Sequence, residues 1–191
     1  TFIETFENSN ATWQYKNESF PGDNSITWSF IESRDAGVFN ISGGNNMSLM
    51  FNNITSKITS SSISGGIASF SVKLKKAYAS IDNRQVELFI NGVSQGTSAE
   101  FNDTTTHDFT VNNLNIEGAF VIELRNTRNQ QIVIDNIAWT NYIAPVAPPT
   151  PTIYKYCNEF SGENGSLEIT SFEITNNGAG DDTEWEYLDE V

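Results

Sequence analysis

The aromatic side chains are the residues of this sequence whose chemistry is most informative. An exposed aromatic ring can stack on the apolar face of a sugar, while charged or amide groups beside it bind the hydroxyls. Trp13 and Tyr15 lie in a polar stretch, so we expect them to be exposed and to form such a surface. Trp28 and Trp139 lie where apolar and polar residues alternate, which predicts that they are core residues.

Basic residues would supply the charged part of a sugar site. Residues 1–151 contain 14 acidic and 9 basic residues. Lys73 and Lys75 are two residues apart in a predicted strand, so they share one face and are placed to line a groove for sulfated or carboxylated glycans. The alternative is a solvated strand face whose charges prevent aggregation. The predicted ligand-binding residues are Trp13, Tyr15, Arg34, Lys73, Lys75 and Arg84.

Residue types needed for most catalytic and nucleic-acid sites are scarce. The chain of 191 residues has a formal net charge of -14, which argues against nucleic-acid binding, because phosphate contacts need a cationic surface. Its one histidine, His107, lies in a Thr- and Asp-rich stretch. Neither a Gly-x-Ser-x-Gly nucleophile turn nor a phosphate-binding glycine loop occurs. The sequence therefore predicts a protein that is not an enzyme.

Hydrophobic periodicity predicts strands rather than helices. Apolar and polar residues alternate most clearly at 70–75, 86–88 and 120–125. Further strands are predicted at 2–6, 26–31, 38–41, 47–51, 55–59, 107–111 and 131–139. Asn91-Gly92 predicts a tight hairpin, because both residues tolerate a positive φ. Many short antiparallel strands predict an all-β fold, a β-sandwich of jelly-roll type.

A proline-rich run divides the chain. Residues 144–152 contain four of the five prolines, which predicts an extended linker after a β-sandwich of residues 1–143. The following residues 153–191 form an acidic β segment that is short for an independent core. This segment either begins a second domain or donates strands to another chain.

The polar composition is typical of an extracellular protein. Asn, Ser, Thr and Gly dominate the polar positions, and the chain has a single cysteine, Cys157. We therefore expect a secreted or cell-surface location. No run of about 18 apolar residues occurs, so no membrane span is expected.

Several short motifs are spread through residues 1–142. They include Glu-Thr-Phe-Glu-Asn at 4–8, Ser-Phe-Pro-Gly-Asp-Asn at 19–24, Ser-Gly-Gly-Ile at 64–67, Asn-Arg-Gln-Val at 83–86 and Ile-Asp-Asn-Ile-Ala-Trp at 134–139. Together they resemble accessory β-sandwich modules of secreted bacterial multidomain proteins, and they look like carbohydrate-binding modules of that fold. The resemblance implies that the first strand pairs with the strand ending at Trp139. Residues 154–191 resemble, less closely, the start of an immunoglobulin-like domain of microbial surface proteins.

Calcium is the ion that the residue types favour, because the chain offers many oxygen ligands and no set of soft ligands. In the modules that the chain resembles, a structural calcium often ties the first strand to the last. The matching positions are Glu7 and Asp135, with Glu4 as a substitute for Glu7. The alternative is that Asp135 and Asn136 make only local hydrogen bonds.

Two hypotheses about function follow from the sequence. The leading one is a non-catalytic extracellular accessory module that binds a polysaccharide or other glycan. The other is a structural subunit of a surface layer or extracellular filament, in which residues 153–191 supply strands to the next subunit.

Overall fold

The structure is a computed structural model that describes residues 1–41 and 47–145. The predicted linker beyond Pro145 and the acidic segment of residues 153–191 lie outside the described residues. The linker, the second β segment and strand donation therefore stay predictions. Among the described residues, no helix has both the length and the apolar character needed to cross a membrane.

Eleven strands make up most of the regular structure of the described residues. In chain order they are β1 (Phe2–Glu4), β2 (Lys16–Pro21), β3 (Thr27–Asp35), β4 (Leu49–Phe51), β5 (Lys57–Ser60), β6 (Ser69–Lys76), β7 (Val86–Ile90), β8 (Val93–Thr97), β9 (Thr106–Val111), β10 (Ile122–Asn126) and β11 (Ile132–Thr140). The two short helical turns among them, Asp23–Ser25 and Gly37–Phe39, are 3-10 turns. The prediction of an all-β fold is confirmed.

The strands form two layers because β3 changes neighbours along its length. The hydrogen-bonded order is β8-β7-β10-β5-β3-β4-β11-β6-β9, and β1 joins β11 while β2 joins β3. Residues 28–31 of β3 pair with β5, and residues 33–35 pair with β4. Between them Glu32 has a left-handed φ of 46°. The chain passes from one layer to the other at this point, and the two layers enclose the core as a β-sandwich.

The core follows the alternation of the strands. Every second residue is buried in β7 and over most of β6. Trp28 and Trp139 are 0% and 1% exposed, as predicted, and their rings meet edge to face with centroids 6.4 Å apart. Phe2 lies opposite Trp139, and the two rings stack at 5.6 Å. The predicted pairing of the first strand with the last is therefore confirmed.

Two local predictions have opposite outcomes. Asn91 and Gly92 have φ values of 52° and 77° and connect β7 to β8, so the predicted hairpin is confirmed. The strand predicted at 38–41 is wrong. The chain turns there, since Gly37 has a φ of 55° and the Phe39 N–H donates to the Ala36 carbonyl at 3.1 Å.

Glu4 is a fully buried carboxylate at the end of β1. Its two oxygens accept the backbone N–H groups of Phe6 and Asp23, each at 2.8 Å. Burial raises the pKa of Glu4, and the two N–H bonds only partly oppose that rise. Glu4 thereby ties β1 to the turn at 23–25.

Replacing Glu4 by alanine should destabilise the domain. We predict that Glu4→Ala lowers the free energy of unfolding by about 2–6 kcal/mol, because one buried and one partly buried N–H group lose their acceptor at about 1–3 kcal/mol each. Urea unfolding measures the change. Glu18→Ala is the control, because this exposed carboxylate has one long contact, 3.4 Å, with Lys16. Equal losses in the two variants would contradict the prediction.

Candidate functional site

A row of four residues crosses the outer face of one layer, away from the core. Arg34 of β3 lies opposite Met50 of β4, Met50 opposite Val133 of β11, and Val133 opposite Lys75 of β6. Residues directly opposite each other share a face of the sheet. Three strand spacings put the backbones of Arg34 and Lys75 about 14 Å apart. The row therefore has an apolar centre with a cation at each end.

The centre of the row is covered by side chains from other segments. Met50 and Val133 are 0% exposed although they point away from the main core. Tyr15, Phe39 and Ile41 pack against this small cluster. The Tyr15 hydroxyl donates to the Met50 sulfur at 3.3 Å. Burial raises the pKa of Tyr15, so this phenol stays neutral at physiological pH.

Arg34 joins the segment at 13–15 to the loop that follows β6. Its guanidinium carbon lies 5.1 Å from the Tyr15 ring centroid and 5.9 Å from that of Tyr78. It donates to the Trp13 carbonyl at 2.9 Å and to the Tyr78 hydroxyl. Within residues 1–41 and 47–145, no carboxylate forms an ion pair with Arg34. Aromatic faces and neutral oxygens therefore surround its charge.

Tyr78 is held in an unusual backbone conformation beside this arginine. Its φ is 60°, in the left-handed region that bulky side chains rarely adopt. Such a residue costs about 1–3 kcal/mol and persists only where its surroundings fix it. The ring of Tyr78 lies 4.5 Å from that of Phe39, and 46% of the residue is exposed.

The structure brings the rings of Tyr15, Phe39 and Tyr78 together near Arg34, which also binds the Trp13 backbone carbonyl. We call Trp13, Tyr15, Phe39 and Tyr78, with Arg34 among them, the aromatic surface. Trp13 is its most exposed member, at 74%. Of the predicted ligand-binding residues, Trp13, Tyr15 and Arg34 are thus neighbours. Sequence reasoning did not place Tyr78 or Phe39 in the site, and the residues around Tyr78, Ala-Tyr-Ala-Ser-Ile at 77–81, gave no local signal that its ring is exposed.

Lys73 and Lys75 lie on the outer face of β6, as the alternation predicts. Lys73 pairs with Asp108 at 3.0 Å, and the two side chains are 42% and 66% exposed. Lys75 donates to the Asn40 carbonyl at 3.1 Å. The pairing of Lys73 fits the alternative of a solvated strand face.

Arg84 is not at the surface. It is 0% exposed, and its guanidinium donates to the carbonyls of Ala77, Asp82 and Gln131 at 2.9, 2.6 and 3.2 Å. The prediction that Arg84 lines a glycan groove is therefore corrected, because its donors are turned inward to main-chain oxygens. Arg84 holds loops together.

Removing the buried guanidinium should unfold the domain more readily. We predict that Arg84→Met lowers the free energy of unfolding by at least about 3 kcal/mol, because hydrogen bonds from a charged group contribute about 1.5–3 kcal/mol each. Lys73→Met is the matched control, since its exposed ion pair contributes less than about 1 kcal/mol. Denaturant titrations compare the two, and an Arg84→Met protein as stable as the control would contradict the role assigned to Arg84.

The two carboxylates predicted to bind calcium hold the chain just before β4. Glu7 accepts the Met47 N–H at 3.0 Å, and Asp135 accepts the Ser48 hydroxyl at 2.8 Å. Asp135 also accepts the Asn136 N–H at 2.7 Å, the local bond that the alternative expected. In the part of the chain that the structure describes, no group of three or more His, Cys, Asp or Glu side chains could hold a metal ion. Calcium therefore stays a prediction.

No family model and no curated protein matches the chain. Among solved structures it is similar to a family 6 carbohydrate-binding module, with 16% identity over 73% of this chain and 93% of that one and a TM-score of 0.44. It is also similar to a family 36 module in complex with calcium and xylotriose, with 20% identity over 58% of this chain and 100% of that one and a TM-score of 0.42. A third similar structure is a family 35 module from Clostridium thermocellum, with 16% identity over 58% of this chain and 88% of that one and a TM-score of 0.42. These are modules of the class that residues 1–142 resemble.

Proposed function

We propose that residues 1–143 form a glycan-binding module and that the glycan binds at the aromatic surface. The observation that carries the proposal is the position of Tyr78, which keeps a left-handed backbone and a half-exposed ring beside Arg34. Strain of this kind is typical of functional sites. The highly exposed ring of Trp13 adjoins the same arginine through its backbone carbonyl.

Each member of the surface has a role in this proposal. Trp13 offers its face to the apolar side of a sugar ring, and Tyr78 forms a second contact with the ring or its substituents. Arg34 fixes both segments and has five N–H donors, of which two are used by Trp13 and Tyr78. The remaining N–H groups on the two terminal nitrogens of Arg34 bind sugar oxygens, whereas its Nε is buried.

We also propose that the module is non-catalytic and acts in a secreted or cell-surface protein. The support is the composition of the chain, which has a single histidine and polar positions dominated by Asn, Ser, Thr and Gly. His107 contacts Asp103 at 3.0 Å and lies against the Phe101 ring, 4.3 Å between centroids. His107 lies in β9, and both contacts are with residues that precede that strand. Neither contact involves the aromatic surface.

Loss of either exposed ring should weaken glycan binding. We predict that Trp13→Ala and Tyr78→Ala each lower affinity about tenfold or more, because an aromatic ring that loses its apolar contact costs about 1.5–3 kcal/mol. Affinity electrophoresis on a panel of neutral and acidic polysaccharides measures retention.

Phe89→Ala is the matched control for those variants. Phe89 is a half-buried ring on the outer face of the other layer, with the Arg125 guanidinium 3.8 Å from its centroid. Its loss should leave retention unchanged. Unchanged retention of both Trp13→Ala and Tyr78→Ala would contradict the proposal, as would a parent protein that binds no polysaccharide in the panel.

Structural calcium at Glu7 and Asp135 is a separate proposal. It is supported by the oxygen-rich composition and by the contacts of both carboxylates with the neighbouring residues Met47 and Ser48. We expect a higher melting temperature in calcium than in chelator, because an ion bound only to the native state at a hundredfold excess over Kd stabilises it by about 2.7 kcal/mol. Calorimetry of the parent and of Asp135→Asn tests this. Equal melting temperatures of the parent in calcium and chelator would exclude the ion.

A further inference from the structure

An open depression lies among three loops at the surface of the sandwich. We call it the loop pocket. Its volume is about 430 Å³, and its lining residues are Asp82, Asn83, Glu100, Arg128, Asn129 and Gln130. They belong to the loops that join β6 to β7, β8 to β9 and β10 to β11. All six lining side chains are polar.

Arg84 fixes the three loops from within. Its backbone pairs with Phe101 of the second loop, through N–H to carbonyl bonds of 2.8 and 3.2 Å. Its guanidinium binds Ala77 and Asp82 of the first loop and Gln131 at the end of the third. One buried side chain thus positions every segment that lines the loop pocket. A pocket formed in advance binds its ligand with less loss of conformational freedom.

The lining side chains also orient one another. Asn83 donates to Glu100 at 2.6 Å, Arg128 pairs with the other oxygen of Glu100, and Gln130 donates to Asp82 at 2.8 Å. Each of these bonds uses only part of what the groups offer, because a carboxylate has about four acceptor positions and an amide has two donors and an acceptor oxygen. Donors and acceptors are therefore both left for a ligand.

The chemistry of the lining selects the class of ligand. Two carboxylates and one guanidinium line the pocket, and the buried Arg84 guanidinium binds the Asp82 carbonyl behind it, so the site has no excess positive charge to attract an anion. The lining residues are all polar, which favours a ligand rich in hydroxyl groups over a purely hydrophobic molecule. A sugar hydroxyl both donates and accepts, and its bond to a carboxylate is of the strong charge-assisted kind. The volume lies within the range of about 300–1,000 Å³ usual for small-molecule sites.

We propose that the loop pocket is a second glycan-binding site, which takes a neutral sugar through its hydroxyl groups rather than by ring stacking. It shares no residue with the aromatic surface, although Tyr78 and the pocket residues Asp82 and Asn83 belong to the same loop, so the two sites are tested with separate variants. A polysaccharide that reaches both sites would be held more tightly than a short fragment, because the second contact becomes intramolecular.

The side-chain amides of the pocket report directly on binding. We would titrate the 15N-labelled protein with neutral xylo-, cello- and manno-oligosaccharides and follow the NH2 signals of Asn83, Asn129 and Gln130 by NMR. We expect these signals to shift in the parent and equally in Trp13→Ala. Asp82→Asn preserves size and removes one charged acceptor, so it should weaken the response about tenfold, the loss typical of one charged hydrogen bond.

The control variant for Asp82→Asn is Asp108→Asn. Asp108→Asn removes an exposed carboxylate outside the pocket and should leave the titration unchanged, and the melting temperatures of both variants verify folding. The inference is overturned if no oligosaccharide moves the three amide signals, or if Trp13→Ala abolishes the shifts, since one shared site would then explain them. Shifts that persist in Trp13→Ala while polysaccharide retention is also unaffected would support the loop pocket and contradict the aromatic surface.

Discussion

The outward-facing pair Met50 and Val133 sets the arrangement of the candidate glycan site. Neighbouring residues of the same strands fill the main core, so β4 and the first half of β11 are buried on both faces. Apolar surface on the outside of the sheet is stable only when other side chains cover it, at about 25 cal/mol for each Å² removed from water. Tyr15 and Phe39 provide that cover. The need to bury two apolar residues thus places aromatic rings beside Arg34.

Two arginines position the two candidate sites, and they do so by different means. Arg34 lies against aromatic faces and neutral oxygens at the surface, whereas Arg84 is buried and binds three carbonyls. Neither forms an ion pair within residues 1–41 and 47–145, although the whole chain has 24 acidic residues. A planar group with five donors suits this use, because it can connect several segments at once. Each site is therefore built around an arginine that organises loops.

Local patterns predicted the strands and much of the core, while long-range contacts decided the rest. The alternation of apolar residues identified β6 and β7, and Asn91-Gly92 identified the hairpin that joins β7 to β8. No local pattern distinguishes Arg84 from an exposed arginine, because one of its acceptors, Gln131, lies 47 residues away along the chain. The position of Tyr78 beside Arg34 depends in the same way on residues 44 apart. Sequence reasoning selected Trp13 and Tyr15 by their polar surroundings and Arg34 as one of the few basic residues, and it could not show what holds them together.

The placement of the cations favours a neutral glycan over the sulfated or carboxylated one that the sequence suggested. That suggestion rested on Lys73 and Lys75 lining a groove, with Arg84 among the other predicted ligand-binding residues. Instead Lys73 is paired with Asp108, Lys75 binds the Asn40 carbonyl and Arg84 is buried. Arg34 is then the one member of the predicted basic set at the aromatic surface, and residues 1–151 have a negative net charge, with 14 acidic against 9 basic residues. Long-range repulsion from that charge acts against a polyanion, whereas stacking on Trp13 and hydrogen bonds from Arg34 need no charge on the ligand.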